Sequence, residues 1–338
     1  MPKYIGIDLG TANTLLYMKG RGIVLREPSV VAVERQTERV RAVGRDAKLM
    51  LGKTPGSITA HRPIKDGVIA DFEITAAMLR DFFKRISAGN LFSRPYVSVC
   101  VPYGVTEVER RAFKDATREA GARAVAMVSE PIAAAIGAGL RVSGPRGSMV
   151  VDIGGGTTEV AVLSLGGIVR STSLRIAGDE LDESIVQYIK EKYGISISES
   201  MAEMLKKQIG SVHWSTDEGT MNIQGLTQRT SARSGLPAVL TISAGELREA
   251  MYDQIEQILK CICSTLESTP PELSADIYDY GIMLTGGSAL LRGLPNLIAE
   301  RTGIRVTLAK NPLDCVALGL GRMIESDNKV DNNLEYES

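Results

Sequence analysis

The sequence predicts an α/β protein made of two related lobes around a shared cleft, and three observations lead to that prediction. The 338-residue chain is 44% hydrophobic but only 5% aromatic and has 34 glycines, a composition that suits aliphatic α/β layers better than a β-sandwich. A strand–glycine–strand pattern occurs twice, half a chain length apart. Between the two copies, strand and helix patterns alternate, as an α/β layer requires.

The repeated pattern predicts a hairpin in each lobe. The first copy, residues 5–11, is a short apolar strand with one embedded acid, Asp8, and it ends in glycine and threonine. The second copy, residues 150–158, places Asp152 before three glycines and two threonines. A second apolar run follows each copy, so both are predicted as hairpins with glycine-rich turns. A repeat of this length predicts two lobes, residues 1–144 and 145–325.

Helix starts are predicted from capping boxes, in which serine or threonine is followed three residues later by glutamate. Such boxes stand at Thr106, Ser200 and Ser243, and Asp179 is placed to cap a further helix. In the helix after Thr106, Val108 is predicted to belong to the apolar face.

Two segments interrupt the strand–helix alternation and are predicted as smaller subdomains, one inserted in each lobe. They cover about residues 20–94 and about residues 180–245. Residues 326–338 are polar and mildly acidic, so they are predicted to form a flexible tail.

Charge and cysteine content exclude several classes of function. The net charge is −1, with 39 basic and 40 acidic side chains and no basic block, so nucleic acid is not expected as a partner. Four scattered cysteines predict neither a disulfide framework nor a zinc site, and they fit a reducing compartment. No signal peptide and no membrane-spanning run is recognised, so we expect a cytoplasmic protein with peripheral membrane contact at most.

Both hairpin turns have the chemistry of a phosphate-binding loop. Small residues let backbone N–H groups approach an anion, and hydroxyl and amide side chains add donors. Asp8 and Asp152 repel phosphate, so beside one they should act through a divalent cation and its waters. An ordinary tight turn would explain the first copy alone, but three consecutive glycines in the second favour phosphate binding.

Two further motifs complete the chemistry. Residues 282–291 predict a buried strand that turns at Gly286 and Gly287 into a helix, where a flat ring can lie against the backbone. Glu130 and Pro131 begin an alanine-rich helix. Glu130 either stabilises that helix start or polarises a water for attack on a terminal phosphate.

Taken together, these motifs resemble the superfamily of actins, sugar kinases and heat-shock chaperone ATPases. Seven segments within residues 4–324 resemble the MreB family of bacterial actins specifically: 8–14, 26–32, 62–71, 108–112, 133–140, 152–162 and 269–273. The resemblance implies a duplicated, ribonuclease H-like actin fold with four subdomains. It also implies ATP and Mg²⁺ in the central cleft, with ATP hydrolysis coupled to polymerisation.

The resemblance also implies roles for individual residues. Those implied to contact phosphate from the two sides of the cleft are Thr11, Ala12, Asn13, Gly155, Gly156 and Thr157. Those implied to surround the ribose and base are Glu203, Lys206, Gly286, Gly287, Ser288 and Ala289. Glu130 would place the attacking water, assisted by Thr157 or Thr158. Glu203 also completes the predicted capping box with Ser200, and both roles can hold together.

Four positions depart from the common family pattern: Ser129, Ala177, Gln208 and Ser288. None removes a proposed catalytic group, but they leave the turnover rate and the choice between ATP and GTP open.

Membrane contact is predicted at Leu91 and Phe92, an apolar pair between a helix end and Pro95 with basic residues nearby. A locally buried pair is the alternative. Similar proteins bind membrane through a loop at this point. The resemblance further implies antiparallel double filaments of the chain itself on anionic lipid at the inner face of the cell membrane. Transmembrane proteins of the cell-wall elongation machinery are the implied partners, and rod shape is the implied outcome.

Three alternatives share the fold. A small-molecule kinase would need a second polar cluster for its substrate, and a chaperone-type ATPase would need a substrate-binding domain after the ATPase. A plasmid-segregating actin is the nearest alternative, but residues 62–71 and the loop around residue 91 favour the shape-determining branch.

Overall fold

The first lobe is built around the first predicted hairpin. A computed structural model describes residues 3–87, 94–227, 235–326 and 334–337 of the chain. The strands of this lobe are β1 (Tyr4–Leu9), β2 (Asn13–Met18), β3 (Gly22–Pro28), β4 (Val31–Glu34), β5 (Val40–Val43), β6 (Ile58–His61), β7 (Ile64–Lys65), β8 (Val68–Ile69), β9 (Tyr96–Val101) and β10 (Ala124–Ser129). Its helices are α1 (Arg45–Met50), α2 (Phe72–Ser87), α3 (Glu107–Glu119) and α4 (Glu130–Ala138).

The second lobe is built around the second hairpin. Its strands are β11 (Ser148–Ile153), β12 (Thr158–Ser164), β13 (Gly167–Leu174), β14 (Ile195–Ser196), β15 (Thr220–Thr227), β16 (Pro237–Ser243), β17 (Ile282–Thr285) and β18 (Val306–Leu308). The helices that follow β13 are α5 (Gly178–Tyr193), α6 (Glu199–Ile209), α7 (Ala244–Glu267), α8 (Pro271–Tyr280), α9 (Leu294–Thr302) and α10 (Cys315–Glu325).

The main sheets of the two lobes have the same plan. The first sheet has the order β10-β9-β1-β2-β3, and the second has the order β18-β17-β11-β12-β13. In each, an antiparallel three-stranded meander is extended by two parallel strands. Helices cover the sheets, and every residue of β11 and β12 is buried, as expected for strands covered on both faces. The duplication predicted from the repeated motif is therefore present.

A small three-stranded sheet accompanies each main sheet. In the first lobe it has the order β5-β4-β6 and packs with α1, and in the second it has the order β14-β15-β16 beside α5 and α6. These small sheets lie within the two segments predicted as inserted subdomains.

Two helices pack backbone to backbone between the lobes. A Cβ on Gly137 of α4 would lie 1.7 Å from the Cys315 carbonyl oxygen, and one on Gly319 of α10 would lie 1.9 Å from the Ala133 carbonyl oxygen. Only glycine permits this approach. Although α10 lies in the sequence predicted as the second lobe, it also packs on β1 and β2 of the first.

Part of the predicted flexible tail is docked on the first lobe. The Tyr336 ring lies edge-on to the rings of Tyr4 and Tyr96, with centroid distances of 5.9 and 5.5 Å. The Glu337 N–H donates to the Val125 carbonyl at 3.1 Å, and the Val125 N–H donates to the Glu337 carbonyl at 3.0 Å. This pairing covers part of the free edge of β10.

The capping boxes at Thr106 and Ser243 are confirmed, but two other helix starts differ from the prediction. The prediction that Ser200 caps a helix is wrong, because α6 begins at Glu199 and Ser198 accepts the capping hydrogen bond from Met201 N–H. The capping role predicted for Asp179 is also wrong, since this residue lies inside the first turn of α5.

Two local predictions about packing and turns also fail. Val108 is 79% exposed instead of lying on the buried face of α3. After β17 the chain forms one short 3-10 turn, Ser288–Leu290, and the next α-helix begins only at Leu294. The sharp turn into an α-helix predicted at Gly286 and Gly287 is therefore replaced by a looser connection.

Candidate functional site

The turns of the two hairpins touch each other. A Cβ on Gly155 would lie 2.8 Å from the Ala12 Cβ, and one on Gly156 would lie 2.8 Å from the Thr11 hydroxyl oxygen. Each turn is held by its own backbone hydrogen bond, from Gly10 N–H to the Asn13 carbonyl at 3.1 Å in the first. The structure therefore brings together the residues predicted to contact phosphate from opposite sides.

A third turn, missed by the sequence reasoning, closes over the first two. Asp66 and Gly67 connect β7 to β8, and both have positive φ, 50° and 75°, as a two-residue type I′ hairpin requires. The Gly67 N–H donates to the Thr11 hydroxyl at 3.2 Å, and a Cβ on Gly67 would lie 2.7 Å from the Thr157 methyl carbon. The Asp–Gly dipeptide between short apolar runs was the signal that marked this turn.

Four carboxylates, which we call the acidic cluster, lie beneath the turns: Asp8, Glu130, Asp152 and Glu159. Burial raises the pKa of Asp8 to about 8, and the nearby Asp152 adds to that shift. Burial likewise raises the pKa of Asp152 to about 7, although a hydrogen bond from the Thr285 side chain acts to lower it. It raises the pKa of Glu130 well above its usual value, with Asp152 and Asp8 as the next contributions.

The acidic cluster has the donor chemistry that a divalent cation needs. Hard carboxylate oxygens are the ligands that Mg²⁺ prefers, and a positive charge beside them stabilises the charged form that burial disfavours. Among the described residues, no group of three His, Cys, Asp or Glu side chains is placed to hold a metal ion directly. The predicted contact of Asp8 and Asp152 with Mg²⁺ through water remains a prediction.

Glu159 is the member of the cluster that the sequence reasoning did not single out. It is 1% exposed and lies opposite Asp152 in the β11–β12 pair. Its carboxylate accepts a hydrogen bond from Tyr103 N–H of the first lobe at 3.1 Å and another from the Ser173 hydroxyl. Burial raises its pKa to about 7 even though both hydrogen bonds favour the charged form. A lone acid at the start of the apolar run 160–165 was the available signal.

Glu130 is the first residue of α4 and directly follows β10. Its pKa is raised first by burial and then by the negative charges of Asp152, Asp8 and Glu159. The neighbouring Ser129 hydroxyl is buried, with no hydrogen-bond partner among the described residues. The helix start and the position beside the phosphate turns are compatible, so both interpretations of Glu130 can hold together.

The two candidate helper threonines differ in what they contact. The Thr158 hydroxyl is fully buried and donates to the Ile176 carbonyl at 2.7 Å. Thr157 instead lies where the three turns meet, against Gly67. This difference favours Thr157 as the residue that assists Glu130.

Two of the residues predicted around the base, Gly286 and Ser288, contact the turn of the second hairpin. The Ser288 hydroxyl donates to the Gly154 carbonyl at 2.7 Å. At Gly286, φ is 88° and a Cβ would lie 2.2 Å from the Ile153 carbonyl oxygen. The turn around Gly286 therefore packs directly on the phosphate turn of β11.

Three other residues predicted to contact the base and ribose pack against or pair with other residues of the protein. Ala289 is 1% exposed and packs in the core of the second lobe. The Lys206 ammonium lies 2.9 Å from an Asp182 carboxylate oxygen and also donates to the Gly178 carbonyl. Burial alone would raise the pKa of Glu203, but hydrogen bonds from lysine side chains outweigh it and lower the pKa to about 2.

Leu91 and Phe92, the predicted membrane contact, lie outside the described residues. Within the described part of the chain, no helix combines the length and apolar character needed to cross a membrane.

Comparison with known proteins identifies the family. The model of the MreB/Mbl protein family matches residues 2–332. The chain belongs to the MreB/Mbl family. It is 47% identical over 326 residues to the cell shape-determining protein Mbl of Bacillus subtilis strain 168, covering 96% of this chain and 97% of that relative. It is 51% identical over 327 residues to the cell shape-determining protein MreB of Escherichia coli strain K12, covering 95% and 93% respectively.

Solved structures confirm the actin-like fold of this MreB/Mbl chain. The crystal structure of MreB5 of Spiroplasma citri bound to AMPPNP is 38% identical and has a TM-score of 0.89, covering 94% of this chain and 95% of that one. A second structure of the same protein contains ADP and has the same TM-score. A MamK double helical filament has a TM-score of 0.81 at 23% identity, with 97% and 100% coverage, and at that identity it supports the fold alone.

Proposed function

We propose that this MreB/Mbl chain is a cytoskeletal ATPase that polymerises with itself and determines cell shape. The observation that carries the proposal is the meeting of two glycine-rich turns over the acidic cluster, between two lobes of the same plan. The relatives from Bacillus subtilis and Escherichia coli are named as cell shape-determining proteins, and the Spiroplasma citri structures contain AMPPNP or ADP.

In this proposal, ATP lies with its phosphates between the turns of the two hairpins. Backbone N–H groups around Ala12 and Gly155 donate to phosphate oxygens, since Ala12 carries only a methyl group and Gly155 no side chain. Asp8 and Asp152 would hold Mg²⁺ through its waters, and the bound ion would neutralise phosphate charge. Glu203 and Lys206, one turn apart on α6, would contact the ribose and base.

Glu130 is proposed to act on the attacking water. Its carboxylate accepts a hydrogen bond from that water and takes its proton while the water oxygen bonds to the terminal phosphorus. The bond from that phosphorus to the bridging oxygen breaks, so ATP and water become ADP and phosphate. Thr157 helps to fix the position of the water.

Replacing Glu130 by Ala tests the enzymatic part of the proposal. Phosphate release should fall about 10²- to 10⁴-fold, the usual contribution of a positioned general base. ATP affinity should be nearly unchanged, because the turns that contact phosphate are intact. Glu107→Ala is the control, since this side chain is 92% exposed on α3. Phosphate release at the wild-type rate from Glu130→Ala would remove the residue from catalysis.

The cytoskeletal part of the proposal places double filaments of the chain on anionic lipid at the inner face of the cell membrane. Transmembrane proteins of the cell-wall elongation machinery are the proposed partners there. Leu91 and Phe92 would insert into the lipid interface, as apolar side chains flanked by basic ones do.

Co-sedimentation with anionic liposomes, followed by electron microscopy of the pellet, tests this part. With ATP and magnesium, the chain should co-sediment with the liposomes, and the pellet should contain paired filaments. The double variant Leu91→Ser with Phe92→Ser should stay in the supernatant, and its persistent binding would indicate another membrane anchor. If the chain binds ATP but stays a soluble monomer, the proposed nucleotide site stands and the proposed self-assembly is wrong.

A further inference from the structure

We propose that Lys48 and Arg62 hold the nucleotide cleft closed and set the rate at which nucleotide leaves; the inference rests on the proposed ATP site. Both are side chains of the first lobe that form ion pairs with the second lobe. The Lys48 ammonium lies 2.9 and 3.1 Å from the two Glu203 carboxylate oxygens. The Arg62 guanidinium lies 3.0 Å from an Asp179 oxygen. We call these two contacts the cleft ion pairs.

The charges of the cleft ion pairs are separated by lobe. Both cations come from the first lobe, Lys48 from α1 and Arg62 from the residue after β6. Both anions come from the second lobe, Asp179 from the first turn of α5 and Glu203 from the middle of α6. Arg62 also interacts electrostatically with Glu199 and Glu203. The attraction between these opposite charges favours the closed cleft over an open one.

The position of Asp179 connects its ion pair to the phosphate turn. Its backbone N–H donates to the Gly155 carbonyl at 2.7 Å, so the residue that Arg62 contacts is bonded to the turn that would hold phosphate. Glu203 lies on α6, three residues before Lys206. Each ion pair therefore joins the first lobe to an element proposed to contact the nucleotide.

Both pairs are partly shielded from water. Side-chain exposure is 36% for Lys48 and 21% for Glu203, and 29% for Arg62 and 24% for Asp179. Fully exposed ion pairs contribute little because water screens them, whereas half-buried pairs keep more of their attraction. Nucleotide can leave only after the lobes separate at this point, which requires both pairs to break.

Dissociation of a fluorescent ATP analogue, followed by stopped flow with excess unlabelled ATP, tests the inference. Lys48→Ala and Arg62→Ala should each raise the dissociation rate about 3- to 10-fold, the modest effect expected for half-buried pairs. Raising the salt concentration should speed dissociation from the wild type and have less effect on the variant lacking both cations. Arg301→Ala is the control, because Arg301 pairs with Glu256 inside the second lobe at 39% and 19% exposure.

Reversing the charges of one pair separates attraction between lobes from other effects of substitution. Asp179→Arg alone should speed dissociation, and adding Arg62→Asp should restore a rate near that of the wild type. Unchanged dissociation in Lys48→Ala, Arg62→Ala and Asp179→Arg would overturn the inference while leaving the proposed function intact. A wild-type chain that binds no ATP analogue would overturn the proposed function, and the inference with it.

Discussion

Replacing Gly155 by alanine should force the two hairpin turns apart. A Cβ at this position would lie 2.8 Å from the Ala12 Cβ and 3.2 Å from the Ala12 nitrogen. Carbon atoms in good contact are about 3.5 to 4.0 Å apart, so the methyl group needs the turns to separate by about 1 Å. Gly155 is not among the positive-φ glycines, so the backbone itself accepts alanine and the effect comes from the contact between lobes.

The size of the effect follows from the cost of overpacking. Inserting a methyl group into a closely packed contact costs about 1 to 3 kcal/mol. Here the cost applies only while the turns touch, so it disfavours the closed cleft relative to the open one. Because about 1.4 kcal/mol is a tenfold change in an equilibrium constant, ATP affinity should fall about 5- to 150-fold.

Gly154 offers a matched control one residue away. A Cβ on Gly154 would lie 3.4 Å from the Thr157 carbonyl oxygen, an ordinary contact, and its φ is not positive either. Gly154→Ala should therefore keep ATP affinity within a few-fold of the wild type, since a substitution without a clash usually costs little. Titration calorimetry with ATP and magnesium gives both affinities, and circular dichroism checks that both variants fold.

Two outcomes would refute this reasoning. Wild-type affinity in Gly155→Ala would mean that the turns do not meet when ATP is bound. Equal losses in Gly154→Ala and Gly155→Ala would mean that glycine is needed for flexibility of the whole turn and not for contact with Ala12.

Two further predictions concern the acidic cluster and the packing of the helices. Magnesium should increase ATP affinity less in Asp152→Ala than in the wild type. The measurement is the ratio of the ATP dissociation constants without and with the ion. A ratio equal to that of the wild type would show that the pairing of the hairpins is misinterpreted. Gly319→Ala should destabilise the fold by about 3 kcal/mol or more, because its methyl group would meet the Ala133 carbonyl at 1.9 Å. An unchanged unfolding temperature would show that α4 and α10 are not packed this closely.

The sequence predicted best those features that depend on residues close together in the chain. The hairpins follow from apolar runs around glycine turns, and the capping boxes at Thr106 and Ser243 follow from hydrogen bonds that span three residues. The match between the two sheets follows as well, since the same local pattern folds in the same way twice. The grouping of Asp8, Asp152 and Glu130 could be inferred because each stands at a recognisable turn or helix start.

What the sequence did not predict depends on partners far along the chain. Glu203 was assigned to the ribose and base and also to a local capping box, but its pairing with Lys48 of the other lobe was not predicted. Asp179 was expected to cap a helix and instead pairs with Arg62. Neither contact has a local pattern, because the residues that meet are separated by more than a hundred positions and come together only in the folded chain.

The docked tail has a practical consequence for imaging the protein in cells. A fluorescent reporter fused directly after Ser338 would begin two residues beyond Glu337, whose backbone pairs with Val125. The reporter would then either sit against the wall formed by β10 or pull Tyr336 away from Tyr4 and Tyr96. The localisation of such a fusion would be that of a protein whose first lobe has an altered surface. A label placed far from β10 is therefore the better choice.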